Sequence, residues 1–162
     1  MDVAASVRLE PLQAAHADEL LGPLSDPALY RYLDDEPPAS VEWLRERFAA
    51  LERGAPAGLD ELWLNWIIQV DGRPVGTTQA TIRTGAPSSV AYVVAVPAQG
   101  RGVGRVAVGL MLDRLAADHG VVDVQAEIDP ANTASIGLAE SLGFVAAGTI
   151  GTDRRFVRRL PR

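Results

Sequence analysis

An apolar run that flows into a glycine-rich loop constrains this chain more than any other feature: Tyr92-Val93-Val94-Ala95-Val96-Pro97-Ala98-Gln99-Gly100-Arg101-Gly102-Val103-Gly104-Arg105. Its first part reads as a strand, and the residues after Gly102 have the spacing of a helix. Strand, glycine loop and helix start, in that order, make a phosphate cradle. Glycines at alternate positions let the backbone take positive φ and approach a ligand closely, so consecutive N–H groups can converge on phosphate oxygens. The positive end of the following helix adds about 0.3–2 kcal/mol for an anion held there. A plain connecting turn is the competing reading, and three glycines that weaken local order count against it.

Phosphate loops come in several kinds. A P-loop needs G-x-x-x-x-G-K-[ST], and this chain has no lysine, all 15 of its basic residues being arginines. That kind is excluded. Gly102-Val103-Gly104-Arg105-Val106-Ala107 fits the dinucleotide fingerprint G-x-G-x-x-A, but that motif follows the first strand of a βαβ unit. Here a hairpin precedes the strand, and too little chain follows Gly104 for a doubly wound sheet.

The remaining elements follow from apolar spacing and breakers. Val7–Leu12 reads as a strand, and Ala14–Gly22 and Pro27–Leu33 as short helical pieces separated by Pro23 and Asp26-Pro27. Ser40 caps a helix over Val41–Arg53. Asp71-Gly72 joins Trp63–Val70 to Pro74–Arg83 as a hairpin, and a two-residue turn puts Asn65 opposite Thr78 and Leu64 opposite Gln79. Ser89–Ala95 is the strand before the loop. The helix Gly102–His119 carries Val108, Met111, Leu112 and Leu115 on one apolar face. Val121–Ile128 alternates as a strand with one buried face and ends at Pro130. Asn132 or Thr133 then caps a helix to Leu142, Gly143 stops it, and strands near Phe144–Ile150 and Arg155–Leu160 complete an α+β arrangement. The length predicts one domain over 1–162.

Composition narrows the partners. With no cysteine and only His16 and His119, neither a disulfide framework nor a metal site is expected. The N-terminal residues lack a basic segment followed by an apolar core, and no apolar run approaches the ~20 residues needed to span a bilayer, which predicts a cytoplasmic protein. A net charge of −6 opposes binding to nucleic acid or anionic membranes and suits a cationic partner. The arginine-rich end, Arg154 to Arg162, reads as a solvated strand rather than an anion patch.

Two motifs carry a resemblance. Gln99-Gly100-Arg101-Gly102-Val103-Gly104 resembles the Q/R-x-x-G-x-G/A loop with which GNAT-superfamily acetyltransferases hold the pyrophosphate of acetyl-CoA. Asn132-Thr133-Ala134-Ser135-Ile136-Gly137-Leu138-Ala139-Glu140-Ser141-Leu142-Gly143-Phe144 is similar to the N-x-x-S-x-x-L-x-x-x-L-G-F segment of one branch. That branch contains the ribosomal-protein N-terminal alanine acetylases and many small-molecule N-acetyltransferases. The opening Val7–Leu12 and the segment Ser25–Leu33 are similar to it too. The resemblance implies a GNAT-like fold, with a mixed, mostly antiparallel twisted central sheet and helices on both faces. It implies acetyl-CoA as co-substrate and acetyl transfer to a primary amine on a cationic small molecule. A protein N-terminal α-amine is the alternative acceptor, and an acyl-CoA-binding module without turnover is the alternative from another class. The implied state is monomer or homodimer.

By the same resemblance the backbone of Val93 and Val94 pairs with the pantetheine arm, and Gln99, Gly100, Arg101, Gly102, Val103, Gly104 and Arg105 hold the pyrophosphate. Asn132 contacts the pantetheine arm, a role compatible with its reading as a helix N-cap. Many relatives protonate the leaving thiolate with a tyrosine at the position that is Ala139 here, which moves the role to Ser135 or to water. As a competing reading, the Ser135 hydroxyl bonds back to its own helix. Relatives often carry a glutamate where this chain has Ser88 and Ser89, so the candidate base is Glu127 acting through water, or a water chain alone. The acceptor site is expected in the proline-stiffened segment Tyr30, Tyr32, Asp34, Asp35 and Glu36, which can attract and stack a cationic amine, beside Gln79 of a central strand. A solvated acidic turn is the competing reading for that segment.

Overall fold

Local signals of a few residues each divide the chain into its elements. In the computed structural model, which describes residues 2–162, Asp2 caps a single turn α1 (Val3–Ser6) that leads into β1 (Val7–Pro11). The Ser40 hydroxyl accepts from the Trp43 N–H at 3.0 Å and starts α3 (Val41–Arg53), while the Asn132 side chain accepts from the Ser135 N–H at 3.2 Å and starts α5 (Thr133–Ser141). Asp71 and Gly72 both take positive φ and turn β2 (Leu62–Val70) into β3 (Arg73–Ile82). After β4 (Ser88–Val94) come α4 (Val103–His119), β5 (Asp123–Ile128), α5, β6 (Val145–Ile150) and β7 (Asp153–Arg159).

Two expectations need correction between β1 and α3. Pro23 does not end the second helix: α2 (Ala17–Leu24) runs through it, because in the last turn it removes one donor from a ladder that is about to stop. Ahead of it Ala14–His16 is a 3₁₀ turn, and Pro27–Tyr30 is a second 3₁₀ turn capped by Asp26 rather than an α-helix reaching Leu33.

The seven strands form one sheet in the order β1-β2-β3-β4-β5-β7-β6, antiparallel everywhere except between β4 and β5. Apolar residues fill both faces. Trp66, Ile67 and Ile68 are consecutive and all buried, so β2 serves two cores at once. On one face α4 buries Val108, Met111, Leu112 and Leu115 against Ile68 and Val90; on the other α2 and α3 pack Leu20, Leu44 and Phe48 on Ile67. Each fully buried aliphatic or aromatic side chain contributes about 1.5–3 kcal/mol. Among the described residues no helix is long and apolar enough to cross a membrane, and no group of three His, Asp or Glu could hold a metal ion.

The hairpin register differs from the one a two-residue turn dictates. Val70 faces Arg73 and Gln69 faces Pro74, as expected, but Ile68 then faces Gly76, leaving Val75 as an extra residue on β3. The bulge moves Asn65 opposite Gln79 and Leu64 opposite Ala80. Its cause lies outside the hairpin. The Val75 carbonyl accepts from the N–H of Ala95, just past the end of β4, at 2.7 Å, and Gly76 sits so close to β4 that an added Cβ would lie 2.0 Å from the Val93 oxygen.

The pairing of β4 with β5 breaks the continuity of the sheet. It is parallel and short, with Ser88 opposite Val124 and Ser89 opposite Gln125, and ends there. Beyond Ser89 the two strands part, and the apolar sequence of β4 continues beside an open cleft.

Candidate active site

The cleft between the parted strands is lined by Val90, Ala91 and Tyr92 of β4, Glu127 and Ile128 of β5, and Asn132 and Ser135 at the start of α5. The ladder determines which backbone groups face it. The Ala95 N–H donates to Val75, so in the alternating antiparallel pattern Ala95, Val93 and Ala91 direct their N–H and C=O groups at β3. Val94 and Tyr92 direct theirs at the cleft. This corrects the sequence reading of Val93, whose backbone is committed to Thr77. Of Val94 only the N–H is free, because its carbonyl accepts from the Gln99 side-chain amide at 2.8 Å. Gln99 thereby fastens the loop to the end of the strand.

The loop delivers open backbone. Gly100 has φ +74° and Gly102 has φ +80°, values that other L-residues rarely adopt, and the space over both is empty. Gly102 is the N-cap of α4 and offers no side chain, so the N–H groups of Val103, Gly104 and Arg105 lack intrahelical partners, the first helical bond running from Val106 to Gly102. The Val103 side chain belongs to the core. Arg101 and Arg105 are exposed and make no ion pair with a described residue. Three free donors, a positive helix end and two unpaired guanidinium groups fit a pyrophosphate. Gly104 has a different reason to be glycine. It lies inside the helix, and an added Cβ would meet Leu138 Cδ1 at 3.0 Å and Tyr92 Cε2 at 3.2 Å.

Tyr92 is the site residue that the sequence reading missed. Its ring lies against Gly104 and its hydroxyl is 3.1 Å from the Ser135 hydroxyl, within hydrogen-bond reach. Burial raises its pKa above the usual tyrosine value, an effect only partly offset by the bond to Ser135, so the phenol keeps its proton at neutral pH. Ala139, where relatives carry a tyrosine, is buried in the core. The strand position before the loop was the available signal, since a tyrosine there faces the cleft that the loop closes. Glu127 is exposed in the same cleft and lies opposite Arg155 of β7. At the closed end, Ser88 is buried and the Ser89 hydroxyl accepts from the Gln125 amide at 3.4 Å.

A second cavity, of about 290 Å³, adjoins the first on the other side of β4 and shares Leu33, Ala91 and Tyr92 with it. Its walls include Tyr30, Asp34, Asp35 and Glu36 from the segment before α3, and Asn65, Thr77 and Gln79 from the sheet. Two expectations change here. Tyr32 lines the cleft rather than this cavity, with the Arg31 guanidinium over its ring at 5.9 Å. The Tyr30 hydroxyl donates to the Leu24 carbonyl at 2.7 Å, so it anchors the segment and presents only its ring. The acidic segment also has a cation of its own. Arg47 of α3 lines the cavity, stacks over Trp43 at 5.5 Å and lies 3.4 Å from Asp35, both partners being about half exposed. Asp35 is therefore partly neutralised, whereas Asp34 and Glu36 have no basic partner among the described residues.

Similarity to known proteins agrees with this geometry. Structures with the same fold include RimJ of Mycobacterium smegmatis in complex with a CoA disulfide, at TM-score 0.83 and 20% identity over 97% of this chain and 83% of that one. Another is the acetyl transferase of Salmonella typhimurium that modifies the N-terminal serine of ribosomal protein L7/L12, at TM-score 0.80 and 16% identity over 99% and 98%. A third is an aminoglycoside acetyltransferase in complex with coenzyme A, at TM-score 0.78 and 19% identity over 95% of each chain. No curated protein matches by sequence. The family model described as acetyltransferase (GNAT) domain matches residues 6–145, which takes in the parted strands, the glycine loop and the capped helix α5, and the chain belongs to the GNAT acetyltransferase family.

Proposed function

We propose that the protein transfers the acetyl group of acetyl-CoA to a primary amine, with the whole chain acting as one catalytic unit. The observation that carries this reading is the meeting of two cavities at Tyr92, one framed by the glycine loop and Asn132, the other by carboxylates and amides. In this arrangement the N–H groups at the start of α4 bind the pyrophosphate, with Arg101 and Arg105 beside them. The pantetheine arm lies along the free edge of β4, where the Val94 N–H donates to it or to the thioester carbonyl, and Asn132 flanks the arm. The amine enters from the second cavity. Its nitrogen attacks the thioester carbon, the C–S bond breaks, and Ser135 gives a proton to the departing sulfur. Glu127 takes up the amine's proton through water.

Asp34 and Glu36 favour a cationic small-molecule amine, and Gln79 with Asn65 offers amide groups to its polar atoms. A protein α-amine is the second reading, supported by Arg47 in the same cavity, a cation that a polypeptide's carbonyl or carboxylate groups can engage. A cytoplasmic setting belongs to the same proposal.

The test is release of free CoA thiol from acetyl-CoA with a panel of polyamines, aminoglycosides and N-terminal peptides. Turnover with at least one small amine, above the rate with peptides, supports the leading reading. Turnover with peptides alone transfers it to the second. Binding of acetyl-CoA without thiol release for any member would mark a binding module.

A further inference from the structure

Ser135 alone makes a poor acid. Giving up its proton leaves an alkoxide whose conjugate acid is about as weak as water, far weaker than an alkyl thiol with its pKa of about 8.5. Its hydroxyl can protonate a thiolate only if another donor refills it as the proton leaves. Among the described residues one group is hydrogen-bonded to that hydroxyl, the phenol of Tyr92 at 3.1 Å.

The surroundings hold the pair in place from both ends. The Ser135 backbone N–H is bound by the Asn132 cap at 3.2 Å, which fixes where the hydroxyl starts from. The Tyr92 ring rests on α4 at Gly104, the helix position where a Cβ would come within 3.2 Å of it. Thr78 faces Tyr92 across the β3–β4 ladder, is fully buried, and has a hydroxyl without a partner among the described residues, so it does not draw the phenol away. The pair lies at the cleft, in the lining of which both residues take part.

We propose that Tyr92 is a positioning residue that acts through Ser135, donating its hydroxyl proton to the Ser135 oxygen as Ser135 protonates the leaving thiolate. This rests on the acetyl-transfer reading above. The step balances. The C–S bond electrons become a new S–H bond with the Ser135 proton, the Tyr92 O–H bond breaks as a new Ser135 O–H bond forms, and the negative charge ends on the phenol oxygen. Water at the cleft then returns a proton to the phenolate, while the proton displaced from the amine passes through water to Glu127. Relative to Ser135 alone, the charge is left on a group with a reference pKa of about 10. The tyrosine that relatives place on α5 is replaced here by a tyrosine on β4 reaching the cleft from the opposite wall, with serine as the link.

The experiment compares Tyr92→Phe, Ser135→Ala and the double variant in the thiol-release assay, with kcat and the KM for acetyl-CoA measured separately and the solvent deuterium dependence of kcat followed for each. Tyr92→Phe should keep the melting temperature and the KM near wild type and lower kcat about 10²-fold. In the Ser135→Ala background the same change should cost less than about threefold, because residues that act as a unit are not additive. The wild-type rate should bow with deuterium fraction, as two protons in flight require, and become linear in Tyr92→Phe. Rescue of kcat by 3-fluorotyrosine at position 92 would support the assignment further. An unchanged kcat, independent losses in the two backgrounds, or a loss confined to KM would overturn it while leaving acetyl transfer intact. A folded wild-type protein that binds acetyl-CoA and releases no thiol with any amine would overturn the underlying reading and this one with it.

Discussion

Gly76→Ala separates a close approach of strands from an ordinary preference for glycine. An ideal Cβ at Gly76 would sit 2.0 Å from the Val93 carbonyl oxygen, 3.0 Å from the carbonyl carbon and 3.1 Å from the Val94 Cα, all backbone atoms of the strand beside the cleft. Relief therefore requires β3 and β4 to part by about 1 Å or more, because no side chain can rotate away. The flanking bond from the Ala95 N–H to Val75, now 2.7 Å, and its neighbours would stretch with it. Losing one or two such bonds at about 0.5–1.5 kcal/mol each, on top of an overpacking cost of about 1–3 kcal/mol, gives a destabilisation of about 1.5–6 kcal/mol. For a domain of this size that is a fall in Tm of about 3–24 °C. The control is Gly109→Ala in α4, where a Cβ meets nothing within 4 Å, and where helix propensity alone should raise Tm by about 2–4 °C. Thermal unfolding of the two variants by circular dichroism decides the matter. A Tm for Gly76→Ala at or above wild type would refute the close approach and, with it, the reason given for the bulge at Val75.

Three further outcomes can be checked. Replacing Asp34, Asp35 and Glu36 together by their amides should lower kcat/KM for multiply charged amines more than for singly charged ones, the more so because Arg47 loses its partner. The difference should shrink with salt, since exposed charges are largely screened beyond ~8 Å at 0.15 M, and a salt-independent loss would return the segment to a solvated turn. Asn132→Ala should cost about 1 kcal/mol, a Tm fall of about 2–4 °C, through loss of the α5 cap, and should also raise the KM for acetyl-CoA; an unchanged KM would leave Asn132 with the cap alone. The Trp63 indole N–H and the Arg83 guanidinium hold the Glu61 carboxyl below its usual range, and Arg45 does the same for Asp18. Both groups favour the folded state once ionised, so their contribution is complete above the ordinary carboxylate range and is lost as pH falls through the lowered native values. Tm should therefore drop on acidification, and Glu61→Gln should flatten that drop.

What could be read from the sequence was what short segments decide. Ser40, Asp71-Gly72 and Asn132 mark their elements through bonds reaching only a few residues, and all three sit where their chemistry predicts. The apolar spacing of Val108, Met111, Leu112 and Leu115 likewise located the buried face of α4. The register of the hairpin was not legible, because its bulge answers to Val93 of another strand and Ala95 just past its end rather than to the turn. Tyr92 escaped for the same reason, since its partner Ser135 is 43 residues away and the two meet only because β4 and β5 part. Arg47 could be placed on α3 from the sequence, but whether it faced solvent or the acidic segment depended on how α3 packs on the sheet. Gly104 could be read as part of the phosphate loop, but its second duty, leaving room for the Tyr92 ring and Leu138 against the helix, depends on packing that no local signal shows.

Thermal unfolding of the unmodified protein with acetyl-CoA, NAD and ATP, each up to saturation, tests whether the parted strands, the glycine loop and α5 form one site for acetyl-CoA. At one hundred times Kd a ligand specific to the folded state stabilises by about 2.7 kcal/mol, a Tm rise of about 5–11 °C here, and this rise is expected with acetyl-CoA and not with the two nucleotides. No rise with acetyl-CoA beside a clear rise with NAD or ATP would contradict it.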